Sequence, residues 1–115
     1  MRIEGLVFAE IASPDPAGLV NFFAEELGLE RVDDDGYSRF VFPNGSSIAV
    51  VPPDWVAPPS DTNLGLLVDD LEVATAELST RGIEPEGELH ENAEYRYRHF
   101  RASDGRVFEL LDRRP

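Results

Sequence analysis

The chain has 115 residues, 42% of them hydrophobic and 29% charged, and ten Lys and Arg against 23 Asp and Glu leave a net charge of −13. That length holds one compact domain with a modest core, and the composition excludes a disordered or fibrous chain. The negative field disfavours nucleic acid and anionic lipid as partners, and the absence of cysteine excludes a disulfide framework, a thiol nucleophile and a cysteine-ligated metal.

Residues 3–13 alternate loosely between apolar and small or polar positions, predicting a half-buried strand that ends at Ser13-Pro14. The opening run MRIEGLVFAEIAS is short and broken by Glu4 and Glu10, so it reads as that strand and not as a signal peptide or membrane span. A cytoplasmic location is the expectation. Asp15 suits an N-cap and Pro16 a first helical position; Leu19, Phe22, Phe23 and Leu27 form an apolar stripe and Gly28 a left-handed stop, predicting a helix over 16–27. Residues 37–51 read as two extended runs around Pro43-Asn44-Gly45, where Asn-Gly tolerates the positive φ of a tight hairpin turn. The segment PPDWVAPPSD has four prolines and no periodicity, so residues 52–62 form a stiff connector.

Beyond the connector the order repeats: a strand over 63–68, Asp69-Asp70 as a helix start, a helix to about Thr80, Gly82 as its stop, and a hairpin over 95–112 turning at Asp104-Gly105. Gly45 and Gly105 are 60 residues apart, and the same shift places Tyr37 on Tyr97, Arg39 on His99 and Phe40 on Phe100. The strand and helix halves need a shift of about 54 or 55. A strand, helix and hairpin series occurring twice indicates an internal duplication, with module 1 at about 1–51 and module 2 at about 63–115 of a single domain spanning 1–115.

The run from Asp15 through Phe22-Phe23 to Leu27-Gly28, the segment LVDDLEVATAEL and the ending SDGRVFELL together resemble the vicinal oxygen chelate superfamily, which includes glyoxalases, bleomycin-resistance proteins and extradiol dioxygenases. The resemblance spans the whole chain. It implies an α+β fold in which two tandem βαβββ modules form a curved mixed-sheet cup, and it implies a homodimer. In the metal enzymes of that superfamily His or Glu ligands project into the cup from four strand positions, which fall here at Phe8, Ala49 (with Val50 adjacent), Asn63 and Glu109. Only Glu109 is an ordinary ligand among them, so the expectation is no metal cofactor; the alternative is a divalent metal held by Glu109 with Glu10 and His99.

Strand alternation gives the composition of the cup. If Glu109 faces it, Val107 and Leu111 do too, while Phe108 and Leu110 join the core. On the neighbouring strand Tyr95, Tyr97, His99 and Arg101 then face the cup, and Tyr37 and Arg39 take the matching places in module 1. The candidate ligand-binding set is Phe8, Glu10, Tyr37, Arg39, Trp55, Tyr97, His99, Arg101 and Glu109, with His99 and Glu109 the catalytic candidates. Glu109 has the further reading of a structural partner to Arg39 or Arg101, Trp55 that of a dimer-seam residue, and His90, in the segment ELHENAE, that of a solvated loop residue. No Gly-rich phosphate loop or nucleophile elbow is present. The expected function is metal-free binding of a small organic ligand, cationic or aromatic. The enzyme alternative is a metal-dependent lyase, isomerase or dioxygenase of the glyoxalase type working through Glu109. A third reading is an interaction module whose cup is filled by its own side chains.

Overall fold

The computed structural model describes residues 1–58 and 60–115; Pro59 of the connector lies outside the described residues. Strands β1 (Ile3–Ala12), β2 (Arg31–Asp34), β3 (Tyr37–Val41) and β4 (Ser47–Val51) form the first module with helix α1 (Pro16–Asn21). Strands β5 (Thr62–Val68), β6 (Glu86–Glu91), β7 (Tyr95–Arg101) and β8 (Val107–Arg113) form the second with helix α2 (Leu71–Thr80). All eight strands join one mixed sheet in the order β2-β3-β4-β1-β5-β8-β7-β6, an α+β arrangement in which the modules meet through the antiparallel pairing of β1 with β5. Within each module the first strand runs parallel to the last, β1 to β4 and β5 to β8. Among the described residues no helix is long and apolar enough to cross a membrane.

Both helices lie on one side of the sheet, because there the strands present their large apolar side chains. Phe40 and Phe100, the pair related by the repeat, are each 0% exposed. Phe40 meets Phe23 edge-on at 5.5 Å, and Phe100 stacks on Phe108 at 5.8 Å. The second module has the larger core, in which Leu71, Ala74 and Leu78 of α2 pack on Val68, Phe100 and Leu110. Val20, Phe40 and Val50 anchor the first. Each fully buried side chain of this size contributes roughly 1.5–3 kcal/mol.

The helix start over Asp69-Asp70 is realised by Asp70, which accepts from the N–H groups of Glu72 and Val73. A second carboxylate, Asp112 of β8, accepts from the Leu71 N–H at 2.9 Å and from Arg96 Nε at 2.9 Å. Burial alone would raise the Asp112 carboxyl, yet these bonds hold it below the ordinary carboxylate value.

Several elements differ from the sequence expectation. The helix expected over 16–27 is α-helical only to Asn21 and continues as a π-helical turn, Phe22–Glu26, closed by the Leu27 N–H on the Phe22 carbonyl. In that arrangement Phe23 packs on Phe40 and the Phe22 ring stays exposed. In the hairpin turn only Gly45, at φ +87°, takes a positive φ, and Asn44 does not. Gly105 repeats this at φ +90°, and in both turns the glycine N–H returns to the carbonyl three residues back. The connector holds a single 3-10 turn, Pro53–Trp55. The segment carrying His90 is not a loop but strand β6, paired with β7.

Candidate functional site

The face of the sheet opposite the helices curves around a cavity of about 590 Å³. From β1 it is lined by Phe8 and Glu10, from β3 by Tyr37 and Arg39, and from β4 by Ala49. The second module contributes Asn63 of β5, Tyr97 and His99 of β7, and Glu109 and Leu111 of β8, while Trp55 enters from the connector. Of the nine candidate binding residues, eight therefore line this cavity. Arg101 does not; it borders a smaller adjoining chamber with Glu86.

Register explains the convergence. Glu10 pairs with Ala49 on one side and Asn63 on the other, Gly65 pairs with Glu109, and Glu109 pairs with His99. Residues opposite each other in a ladder point to the same face, so alternation on five strands aims these side chains at one space. The floor between them is apolar. Phe8 lies across Gly65, where a Cβ would come within 2.3 Å of the ring. Gly65 is thus the notch that admits the Phe8 side chain.

The aromatic walls are coupled. Tyr37 and Trp55 have ring centroids 5.4 Å apart, and His90 stacks on Tyr97 at 5.2 Å with an interplanar angle of 19°. His90 also meets His99 edge-on at 5.6 Å. His90 is solvent-exposed, as its sequence context suggested, but it stands on the cup's rim as part of this aromatic group. Its signal in the sequence was weak because β6 is an outer strand of polar residues with no apolar alternation.

The arginines are engaged away from the acids. Arg39 donates through Nε to Asp34, and Arg101 makes a two-pronged contact with Glu86 at 2.6 and 3.0 Å. Glu109 consequently pairs with neither, contrary to that structural reading; its near neighbour is His99, with Nε2 3.5 Å from Oε1. Burial, followed by the negative charge of Glu10, pushes the Glu109 carboxyl up to about 8. Burial also raises Glu10, and burial with the neighbouring His90 lowers His99. Both shifts favour the uncharged form of each partner in the His99–Glu109 contact. Asn63, at one of the four strand positions where the resemblance expects a ligand, is 9% exposed. Its Oδ1 is the one fully buried side-chain nitrogen or oxygen without a hydrogen-bond partner among the described residues.

This architecture matches solved structures along nearly its whole length. It aligns with methylmalonyl-CoA epimerase from Mycobacterium tuberculosis at a TM-score of 0.70 and 18% identity, covering 98% of this chain and 90% of that one. It aligns with a glyoxalase/bleomycin resistance protein/dioxygenase superfamily member from Vibrio splendidus 12B01 at 0.69 and 17% identity, covering 98% and 100%. The chain has the vicinal oxygen chelate fold. BphC, a halotolerant catechol dioxygenase, gives a TM-score of 0.75 at 19% identity over 96% of this chain, which spans only 39% of that longer protein. No family model and no curated protein matches the sequence.

Members of the vicinal oxygen chelate fold that use a metal draw its ligands from strand positions pointing into the cup, and the residues at those positions here do not suit one. Phe8 fills its place with a ring packed on Gly65, and Ala49 has no donor atom. Burial pushes the Glu109 carboxyl up to about 8, away from the charged form that a metal takes. Glu10, His99 and Glu109 share the cavity, yet among the described residues no three His, Asp or Glu side chains are grouped to hold an ion.

Proposed function

We propose that this chain binds a small organic molecule, cationic or aromatic, in the cup without a metal. The observation that carries the reading is an aromatic-walled cavity containing Glu10 and Glu109, with Arg39 on its wall and Arg101 in the adjoining chamber already bonded to Asp34 and Glu86. Acceptors in a partly desolvated cavity favour a ligand that brings donors, and rings stack on the tyrosines and tryptophan. The net charge of −13 adds long-range attraction for cations.

The structural neighbours are named as an epimerase, a dioxygenase and a glyoxalase/bleomycin-resistance superfamily member, so the fold does not select among activities. The metal-dependent lyase, isomerase or dioxygenase reading through Glu109 has the donor set against it. The test is calorimetric titration of the full chain with a panel of cationic and aromatic compounds. Saturable binding that Tyr97→Ala weakens supports the proposal; a panel without a single binder removes it.

A further inference from the structure

Two cavities meet at Asn63. The cup of about 590 Å³ and the adjoining chamber of about 390 Å³ share Trp55, Asn63 and His99 as a common wall. Beyond that wall the chamber is bounded by Val56 and Ala57 of the connector and by Val107 of β8. Its charged members satisfy each other: Arg101 holds Glu86 through Nε and Nη2, and its Nη1 donates to the Gly105 carbonyl. What the chamber offers a guest on the connector side is mostly hydrocarbon and an indole, with His99 and Asn63 on the wall shared with the cup.

On the cup side the chemistry is the reverse. Glu10 stands opposite Asn63 in the β1–β5 ladder, and Glu109 stands opposite Gly65, the next position of β5 on the same face. Among the described residues neither Glu10 nor Glu109 has an arginine partner. A guest filling only one cavity would leave either the acceptors or the apolar chamber unmatched.

We infer that the ligand is a two-part molecule of the arylalkylammonium class, its N–H cation set beside Glu10 and Glu109, whose proton is released as the cation takes its place, and its flat apolar group extending between Trp55 and His99 into the second chamber. This rests on the reading of the cup as a metal-free binding site. Trp55 is the single tryptophan of the chain and lines both cavities, so its fluorescence reports the passage.

The probes are 3-phenylpropylammonium, butylammonium and 3-phenylpropanol, titrated to millimolar concentration into the full chain and followed by calorimetry and Trp55 fluorescence. The arylalkylammonium is expected to bind about tenfold or more tightly than either partial probe, a difference that burial of one phenyl group readily supplies. Ala57→Phe, in the exposed connector, should erase the phenyl advantage and leave butylammonium binding unchanged; Val107→Phe fills the same chamber from β8 as a second variant. Glu10→Gln should weaken both amines. Equal binding of the two amines, undiminished arylalkylammonium binding by both chamber-filling variants, or binding confined to compounds without an N–H cation overturns the inference and leaves the cup reading in place. Failure of the whole cationic and aromatic panel on the native chain removes the cup reading itself.

Discussion

Around the cup, the two modules place the same backbone but different chemistry. Tyr37 answers Tyr97 across the repeat, whereas Arg39 answers His99, Ala49 answers Glu109, and Phe8 answers Asn63. On the helix side the repeat keeps one pair unchanged: Phe40 and Phe100 are both fully buried. Close packing keeps that side apolar in both modules, Ile48 and Val50 answering Phe108 and Leu110, while the cup face is free to differ. The result is an apolar floor from the first module and a polar wall from the second.

The same contrast extends to the helices. Asp112 ties the start of α2 to β8, and the position 60 residues earlier is Pro52, which has no side-chain acceptor to offer α1. Helix α1 keeps only the cap from Asp15 to the Gly18 N–H at 3.1 Å, and it is the shorter α-helix, relaxing into the π turn.

The largest expected effect is at Glu109, which has no ionisable counterpart in module 1. Its ordinary value of 4.5 is pushed up to about 8. Below the lower value both folded and unfolded chains hold the proton, so nothing is lost. As pH rises through the interval, the unfolded chain releases the proton first and the folded state loses stability, levelling off above the higher value. That interval corresponds to about 5 kcal/mol. Glu109→Gln keeps an uncharged side chain there, so its urea midpoint should exceed that of the native chain at pH 8 and equal it at pH 4. A gain of the same size at both pH values would show that the carboxyl is not carrying the difference between modules.

Next come the paired phenylalanines. Phe100→Ala should cost about 4 kcal/mol and Phe40→Ala about 3, the larger loss falling in the larger core. Urea unfolding followed by circular dichroism measures both, and a Phe40→Ala chain as stable as the native one would break the symmetry of packing. Asp112→Ala, which leaves Arg96 and the Leu71 N–H without their buried partner, should cost about 3 kcal/mol. Asp15→Ala, at the corresponding end of α1, should cost about 1 kcal/mol. Equal losses for these aspartates would mean that the tether from β8 adds nothing to an ordinary cap.

The duplication and the turn glycines were legible in the sequence through a repeated Asp- or Asn-Gly, and the alternation on β7 through aromatic rings at every second position, whereas the phase of β8 follows from Glu109. The outer strands were not. Both β2, Arg31–Asp34, and β6, Glu86–Glu91, lie at the ends of the sheet and carry mostly charged residues, so no buried face imposes a pattern. Missing them hid the partners of the arginines, since Arg39 bonds to Asp34 of β2 and Arg101 to Glu86 of β6. With those contacts unseen, Glu109 looked like an arginine partner and His90 like a solvated loop residue. The isolation of Asn63 Oδ1 follows from the pairing of β1 with β5, a contact between modules that no local pattern specifies.

The central claim is that the cup recognises an organic cation or aromatic ring with its own side chains. The direct test is elemental analysis of the full chain purified without chelators, coupled to ligand titration before and after EDTA. The account predicts far less than one divalent metal per chain and an affinity that EDTA leaves unchanged. One metal per chain that disappears in Glu109→Gln, with ligand binding lost on chelation, would contradict it.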